Sequence, residues 1–288
     1  MDTELARTFL KVVEVGSFFK AAEQLFVTQA AVSRRIKILE TDLGCTLFVR
    51  NKAGAVLTAP GRRFSKYAAR LVHTLEQARH EVGVSQPYNK YLAVGGRLGL
   101  WQGFLLRWIS IMHKNSPDVV LRAQIGFEND LTQQLIDGSI DIGVMYTPQS
   151  RPGFTVEQLF EDELVLVTTD ASGRAPSGSH IQVEWGPEFL SRNRLTQPEF
   201  SNPAIIAGVG WLGLHHMLTN GGSTYLPERL ARPYLHSGQL YRAVDSQVFK
   251  LPAYMVYPTD HDRKLFDSAK AAIYQAIAEI DFTSQAIT

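Results

Sequence analysis

From Thr28 to Lys37 the chain reads TQAAVSRRIK, and its residues sort into two sets. Val32 and Ile36, continued by Leu39, recur at helical spacing and form an inward stripe. Gln29, Ala30, Ser33, Arg34 and Lys37 take the outer face, which therefore carries an amide, a hydroxyl, a guanidinium and an ammonium. That inventory supplies hydrogen-bond donors, acceptors and positive charge, the chemistry that grips and reads a nucleic acid.

The elements needed to hold this face are written upstream. Leu5, Phe9, Val12 and Val13 predict a first helix, stopped by Gly16. Ser17 is placed to cap a very short second helix whose buried side is Ala21, Ala22 and Leu25, the paired alanines allowing close approach of another helix. Thr28 caps the third helix, which ends before Gly44. A short helix, a tight turn and a helix with a basic outer face make a helix-turn-helix. Residues 46–58 read as a two-stranded wing: Leu47 and Phe48 return to the core, Arg50–Gly54 is a polar turn, and Val56-Leu57 comes back. A long helix then starts at Ala59, with Pro60 in its first turn. Phe64, Ala68, Leu71, Leu75, Ala78 and Val82 follow a heptad seam that a projecting helix would bury against a second copy of the chain. Packing against its own domain is the other way to cover that stripe.

Charge is divided in the same place. The 288 residues carry a formal net charge of only +1, but residues 1–84 hold 13 Lys/Arg against 8 Asp/Glu, and the remainder is mildly acidic. A basic head on an acidic body is the asymmetry of a nucleic-acid reader joined to something else. One cysteine, Cys45, excludes an internal disulfide and a Cys-based zinc site; burial is its expected state. Arg7 and Lys11 interrupt the N-terminal apolar residues, and no run approaches the roughly 18 apolar residues of a membrane helix, so a soluble, cytoplasmic protein is expected.

Ser85–Asn89 reads as a linker, and beyond it strand and helix patterns alternate. Strands are predicted at Tyr91–Gly95, Val119–Ile125, Ile140–Met145 and Glu163–Thr169, with helices near 100–114 and 129–137. A second set follows: strands at Ile181–Glu184, Ala204–Ala207 and Ser223–Leu226, with helices near 187–192 and 210–219. Strands at Leu240–Val244 and Ala253–Tyr257 and a helix over about 261–280 complete the chain. Alternation of this kind predicts parallel α/β sheets.

The pattern Leu5, Phe9, Gly16-Ser17-Phe18, Ala21-Ala22, Leu25, Thr28-Gln29, Ala31-Val32-Ser33, Ile36, Leu39-Glu40, Leu43-Gly44, Leu47-Phe48, Arg50, Thr58 and Gly61 resembles the winged helix-turn-helix of the LysR-type transcriptional regulators. The family usually has Ala before Gly61, whereas Pro60 stands here, which is expected to shift the start of the linker helix. Glu184–Pro187, Gly222–Pro227 and Val244–Ser246 are similar to the HdfR-like subgroup, associated with flagellar operon control. The resemblance implies an α+β multidomain chain. Residues 1–58 would be the winged helix-turn-helix, 59–87 a long linker and dimerisation helix, and 88–288 a two-lobed α/β effector domain like the periplasmic binding proteins. Lobe I would take 88–163 and 260–288, lobe II 164–259.

By the same resemblance Gln29, Ala30, Ser33 and Arg34 correspond to the recognition surface. The chemistry suits each: Gln pairs with adenine's edge, Arg forks onto guanine, and Ala leaves room for a thymine methyl. Ser17 and Thr28 at helix N-termini, Arg35 and Lys37, and Arg50 and Lys52 on the wing would serve phosphates or an adjacent minor groove. Double-stranded DNA and further copies of the chain, as dimer or tetramer, are the implied partners, with RNA polymerase a further one. No cofactor or metal is expected.

Gly208–Gly213 spells G-x-G-x-x-G, but Trp211 would crowd a pyrophosphate and the preceding strand is short. It pairs better with a second glycine-rich strand-to-helix turn at Gly95–Gly99. The resemblance sets these turns across an effector cleft, where Arg97, Leu98, Gly99, Leu100 and Trp101 would face Gly208, Val209 and Gly210, with Tyr146, Thr147 and Thr196 at the rim. A small, anionic effector is expected there. The alternatives are that these are plain turns, and that the lobes only oligomerise or bind protein partners. His215-His216 diverge on a helix and His261-Asp262 lacks a third ligand, so neither makes a metal site. With no G-x-S-x-G and no Walker A sequence, no enzyme is expected.

Overall fold

A computed structural model describes residues 2–51, 54–83 and 90–280, without the side chains of Arg50, Val82 and several others on the long helix. Lys52 and the 85–89 linker lie outside the described residues.

The head is built from α1 (Thr3–Val15), α2 (Phe18–Gln24), α3 (Gln29–Leu43), the hairpin β1 (Phe48–Asn51) and β2 (Gly54–Leu57), and α4 (Ala59–Gly83). Gly16 takes the left-handed conformation that ends α1, and Gly44 does the same for α3. Ser17 and Thr28 cap the helices that follow them, accepting from Lys20 N–H and Ala31 N–H. Phe9 is the hub of the core. Its ring lies 5.1 Å from Phe48 and 5.0 Å from Phe64, with Val12, Ala21, Val32, Ile36, Leu39 and Leu47 packed around it. Glu40 accepts from Leu47 N–H at 2.7 Å, tying α3 to the wing. The wing is also hooked to the first corner: Ala55 N–H donates to Gly16 C=O at 2.8 Å, and a Cβ on Gly54 would stand 2.4 Å from that oxygen.

The long helix begins at Ala59, with the Thr58 hydroxyl accepting from Gly61 N–H at 3.0 Å, so Pro60 does not displace its start. Gly61 is required there, since a Cβ would meet Leu47 C=O at 2.2 Å. Phe64 and Ala68 are buried in the head's own core and cannot face a second copy. This corrects the seam at its N-terminal end, because α1 needs a covering helix and α4 supplies it. Leu71 is exposed, and Leu75 and Ala78 are half-buried.

The rest of the chain runs β3 (Lys90–Gly96), α5 (Leu98–Leu100), α6 (Leu106–Asn115), β4 (Val119–Ile125), α7 (Glu128–Asp137), β5 (Ile142–Met145), β6 (Phe154–Thr168), β7 (His180–Val183), α8 (Pro187–Thr196), β8 (Ile205–Ala207), α9 (Gly210–Asn220), β9 (Ser223–Pro227), α10 (Glu228–His236), β10 (Tyr241–Arg242), β11 (Phe249–Pro258) and α11 (Arg263–Ala278). By compactness the chain divides into two units. One holds the chain up to Ala93 with Asp118–Arg122 and Gln133–Asp141; the other holds Val94–Pro117, Ala123–Thr132 and the chain from Ile142.

The strands follow the order β4-β3-β5-β11-β6-β9-β7-β8, with β10 beside β6. The sheet is mixed, which corrects the expectation of parallel sheets. The pairs β3–β5, β7–β8 and β7–β9 are parallel, but β11 runs antiparallel to both β5 and β6, and β6 antiparallel to β9. The two long strands β6 and β11 make the difference. They pair from Phe154↔Pro258 to Leu164↔Phe249 with no helix between them in the ladder. The expected helix over 100–114 is also broken: Gln102 has ψ 116° and Gly103 φ +78°, which separates α5 from α6.

Candidate nucleic-acid interface and effector cleft

On α3, Gln29, Ala30, Arg34 and Lys37 are exposed and Ser33 is half-buried. They share the face opposite Val32, Ile36 and Leu39, which are buried against the other helices. The Thr28 hydroxyl accepts from Ala31 N–H at 3.2 Å, which leaves its own proton to donate outward beside the positive end of the helix. Ser17 is placed alike at the start of α2, accepting from Lys20 N–H at 3.4 Å. Arg35 turns the other way. It donates to the Thr8 hydroxyl at 3.2 Å and pairs with Glu4 at 3.5 Å, so its charge is engaged by α1 and is not on the outer face. Arg50 lies on β1 opposite Ala55, with its side chain not described, and Lys52 lies outside the described residues. Cys45 is half-buried against the head core.

The two glycine-rich turns of the body do meet. Arg97, only 6% exposed, donates to Gly208 C=O at 3.4 Å, pairs with Glu128 at 3.4 Å, and lies 4.7 Å over the Phe127 ring. Gly99 and Gly210 face a common space between them. Trp185 occupies that space, with its indole N–H donating to Tyr225 C=O at 2.9 Å. A Cβ on Gly210 would stand 2.6 Å from the Trp185 ring, and one on Gly99 would stand 3.6 Å away. Gly213 is equally constrained, 2.9 Å from Val183 by the same measure. Gly210 and Gly213 of the G-x-G-x-x-G stretch therefore accommodate side chains of this chain, and Trp185 stands within the expected ligand site between the turns.

Behind Trp185 lies a buried charge cluster absent from the sequence reading. Arg229 donates to Asp162 Oδ1 at 2.7 Å and Oδ2 at 3.0 Å, to the carbonyls of Gly99 and Gln102 at 2.6 Å each, and to Tyr146 Oη at 3.1 Å. The break at Gln102–Gly103 frees backbone carbonyls that a continuous helix would use, and the guanidinium accepts that role of partner. Tyr146 Oη donates to Asp162 at 2.9 Å. Burial pushes the Tyr146 hydroxyl well above its ordinary range, and the Asp162 carboxylate pushes it further. Burial alone would lower Arg229, but Asp162 more than offsets it and the guanidinium stays charged.

Other predicted rim and turn residues are scattered. Leu100 and Trp101 are core, with the Trp101 indole donating to Gln124 C=O at 2.8 Å. Leu98 and Val209 are half-buried in their turns. Thr196 is exposed at the end of α8, donating back to Arg192 C=O at 2.9 Å. Thr147 instead borders a cavity of about 340 Å³ on the other flank of Trp185, walled by Tyr146, Phe189, Phe249 and Tyr254.

Residues 3–62 match the bacterial regulatory helix-turn-helix protein, lysR family, and residues 90–183 match the LysR substrate binding domain. The chain belongs to the LysR family and is a DNA-binding transcriptional regulator with an effector-binding domain. It is 31% identical over 266 residues to the HTH-type transcriptional regulator HdfR of Escherichia coli O17:K52:H18 (strain UMN026), covering 91% of this chain and 94% of that one. Its fold is similar to full-length CbnR complexed with its target DNA (TM-score 0.68, 16% identity, 96% of this chain and 100% of that one). It is also similar to full-length LysG from Corynebacterium glutamicum with bound effector Arg (TM-score 0.61, 18% identity, 97% and 99%). Among the described residues no helix is long and apolar enough to cross a membrane.

Proposed function

We propose that this regulator reads a dyad-related DNA site as a dimer, with Gln29, Ala30, Ser33 and Arg34 on base edges. Thr28, Ser17 and Lys37 hold phosphates, and the wing residues Arg50 and Lys52 lie at the flank. The observation that carries this reading is the separation of faces on the first turns of α3: Val32, Ile36 and Leu39 are spent inward while amide, guanidinium and ammonium stay exposed beside a capped N-terminus. Two such helices must meet successive major grooves about 34 Å apart, so two copies are needed. The continuation of α4 at the exposed Leu71 and the half-buried Leu75 and Ala78 is the surface that joins them. Truncating Arg34 to Ala is expected to cost about 1–3 kcal/mol on the preferred site and to relax base preference at one position. Unchanged affinity and unchanged preference in a gel-shift series would remove Arg34 from the reading set.

The effector reading shifts with the structure. Because Trp185 and Arg97 stand in the space between the glycine turns, a small effector with an apolar body and an acidic group enters the cavity walled by Tyr146, Phe189, Phe249 and Tyr254. Arg192 and Lys250 line that cavity, and the acid would compete there with Glu188, 3.8 Å from Arg192, and Glu161, 2.6 Å from Lys250. The same occupied cleft favours a second reading, in which the body takes no small ligand and only oligomerises or binds protein partners. A thermal-shift screen of carboxylate metabolites decides between them. Hits that vanish in Phe249→Ala but survive in Arg97→Ala support the cavity, and an empty screen supports the second reading.

A further inference from the structure

Phe26 is the anomaly of the head. It occupies the turn between α2 and α3 with φ +54° and is 95% exposed. The left-handed region disfavours any side chain with a Cβ, and glycine or asparagine is its usual occupant. The conformation is not optional: Phe26 N–H donates to Glu23 C=O at 3.2 Å and Val27 N–H to Ala22 C=O at 3.0 Å, which together close the reversal between the helices. The fold thus demands the backbone geometry but not the ring, and burial returns nothing for it. Exposure of a single ring is ordinary, but exposure together with backbone strain points to a role outside the chain.

We propose that Phe26 is a nucleic-acid contact, its ring lying against the apolar face of a deoxyribose on the strand that borders the groove entered by α3. The position argues for DNA as the occupant. Phe26 stands two residues before the Thr28 cap, on the same short turn that fixes Gln29 and Ala30, so whatever α3 approaches Phe26 approaches too. The exposed residues on the flanking helices include Phe19, Lys20, Gln24, Gln29, Arg34 and Lys37, against the acidic Glu23 and, at the far end of α3, Asp42, a mainly polar and net basic surround suited to a phosphodiester strand. Sugar edges are the apolar part of that strand and carry no sequence information.

This rests on the reading of α3 as the DNA-facing helix, and the test separates the two. Wild type, Phe26→Asn and Phe26→Tyr are titrated against a random-sequence duplex and against the site that the wild type selects from a randomised pool. Phe26→Asn is expected to leave the melting temperature unchanged or raised, since asparagine tolerates the turn, while weakening both duplexes by roughly threefold to tenfold. Phe26→Tyr keeps the ring and restores affinity. The salt dependence of binding keeps its slope, because no charge has been removed. Wild-type affinity in Phe26→Asn would overturn the proposal while leaving α3 untouched. A loss confined to the selected site would overturn the sugar contact in favour of a base. Failure of the wild type to bind either duplex would instead sink the reading of α3.

Discussion

The guanidinium of Arg229 and the carboxylate of Asp162 face each other in a two-pronged pair at 2.7 and 3.0 Å, their side chains 7% and 2% exposed. The pair is not self-contained, because the remaining donors of Arg229 answer the carbonyls of Gly99 and Gln102 at the break before α6. Arg229→Ala leaves Asp162 buried without its cation and two carbonyls without donors. A loss of about 3–5 kcal/mol is expected, read as a fall in the denaturant midpoint. The double variant Asp162→Leu, Arg229→Met should recover only part of it, since the carbonyls stay unanswered. Full recovery would show that the break at Gln102–Gly103 does not depend on Arg229.

Gly210 predicts a second outcome. A methyl group there would stand 2.6 Å from the Trp185 ring, which cannot retreat without giving up its hydrogen bond to Tyr225 C=O. Gly210→Ala is expected to cost about 1–3 kcal/mol and to change the near-ultraviolet circular dichroism as the indole is displaced. Unaltered spectra and stability would mean that the packing of Trp185 against this turn is loose.

His180 sets a pH dependence. Burial pulls its imidazole down to about 4, with Ser223 Oγ 3.2 Å from Nδ1 and Phe200 stacked at 4.2 Å. The unfolded chain takes up a proton near pH 6.5 that the folded chain refuses until about 4. Stability from this group is therefore complete above about 6.5 and is lost as pH falls toward 4, by about 3 kcal/mol in all. Melting temperatures of the wild type should fall through that window more steeply than those of His180→Gln. Parallel curves would exclude His180 as the source.

The long helix is divided between two duties, and substitutions should separate them. Phe64→Ala removes a ring from the head core and is expected to destabilise the head by about 3–5 kcal/mol. Leu71→Glu and Leu75→Glu touch no such core. They are expected to leave the fold intact while shifting sedimentation from dimer to monomer. A variant that still sediments as the wild type would refute the seam.

How far the sequence could be read depended on where each interaction is encoded. The head was legible because caps, stops and inward positions all lie within a few residues of one another: Gly16, Ser17, Thr28 and Gly44 each act on the neighbouring turn. The antiparallel crossing of β6 and β11 was not, because the first half of β6 alternates half-buried and polar residues such as Glu157, Gln158 and Glu161 without an apolar face. The short helix α10 was missed outright, with Pro233 inside it, and Arg229 was missed with it. Its partners are 67 residues away at Asp162 and 130 away at Gly99, a pairing no local pattern can announce. The glycine turns were found, but not what stands between them. Trp185 stood within a stretch noticed only as a family likeness, and nothing in its neighbours says that its ring lies between Gly99 and Gly210.

The hook between the wing and the first corner has a mechanical result. Since Gly54 leaves no clearance at Gly16 C=O and Ala55 is bonded to it, the hairpin cannot rock without dragging the start of α2 along. The two limbs that would straddle a duplex behave as the fixed jaws of a caliper, with a gap set when the chain folds. If the head straddles DNA as proposed, accommodation falls to the double helix, and sequences that flex cheaply gain an advantage even at base pairs no side chain reaches.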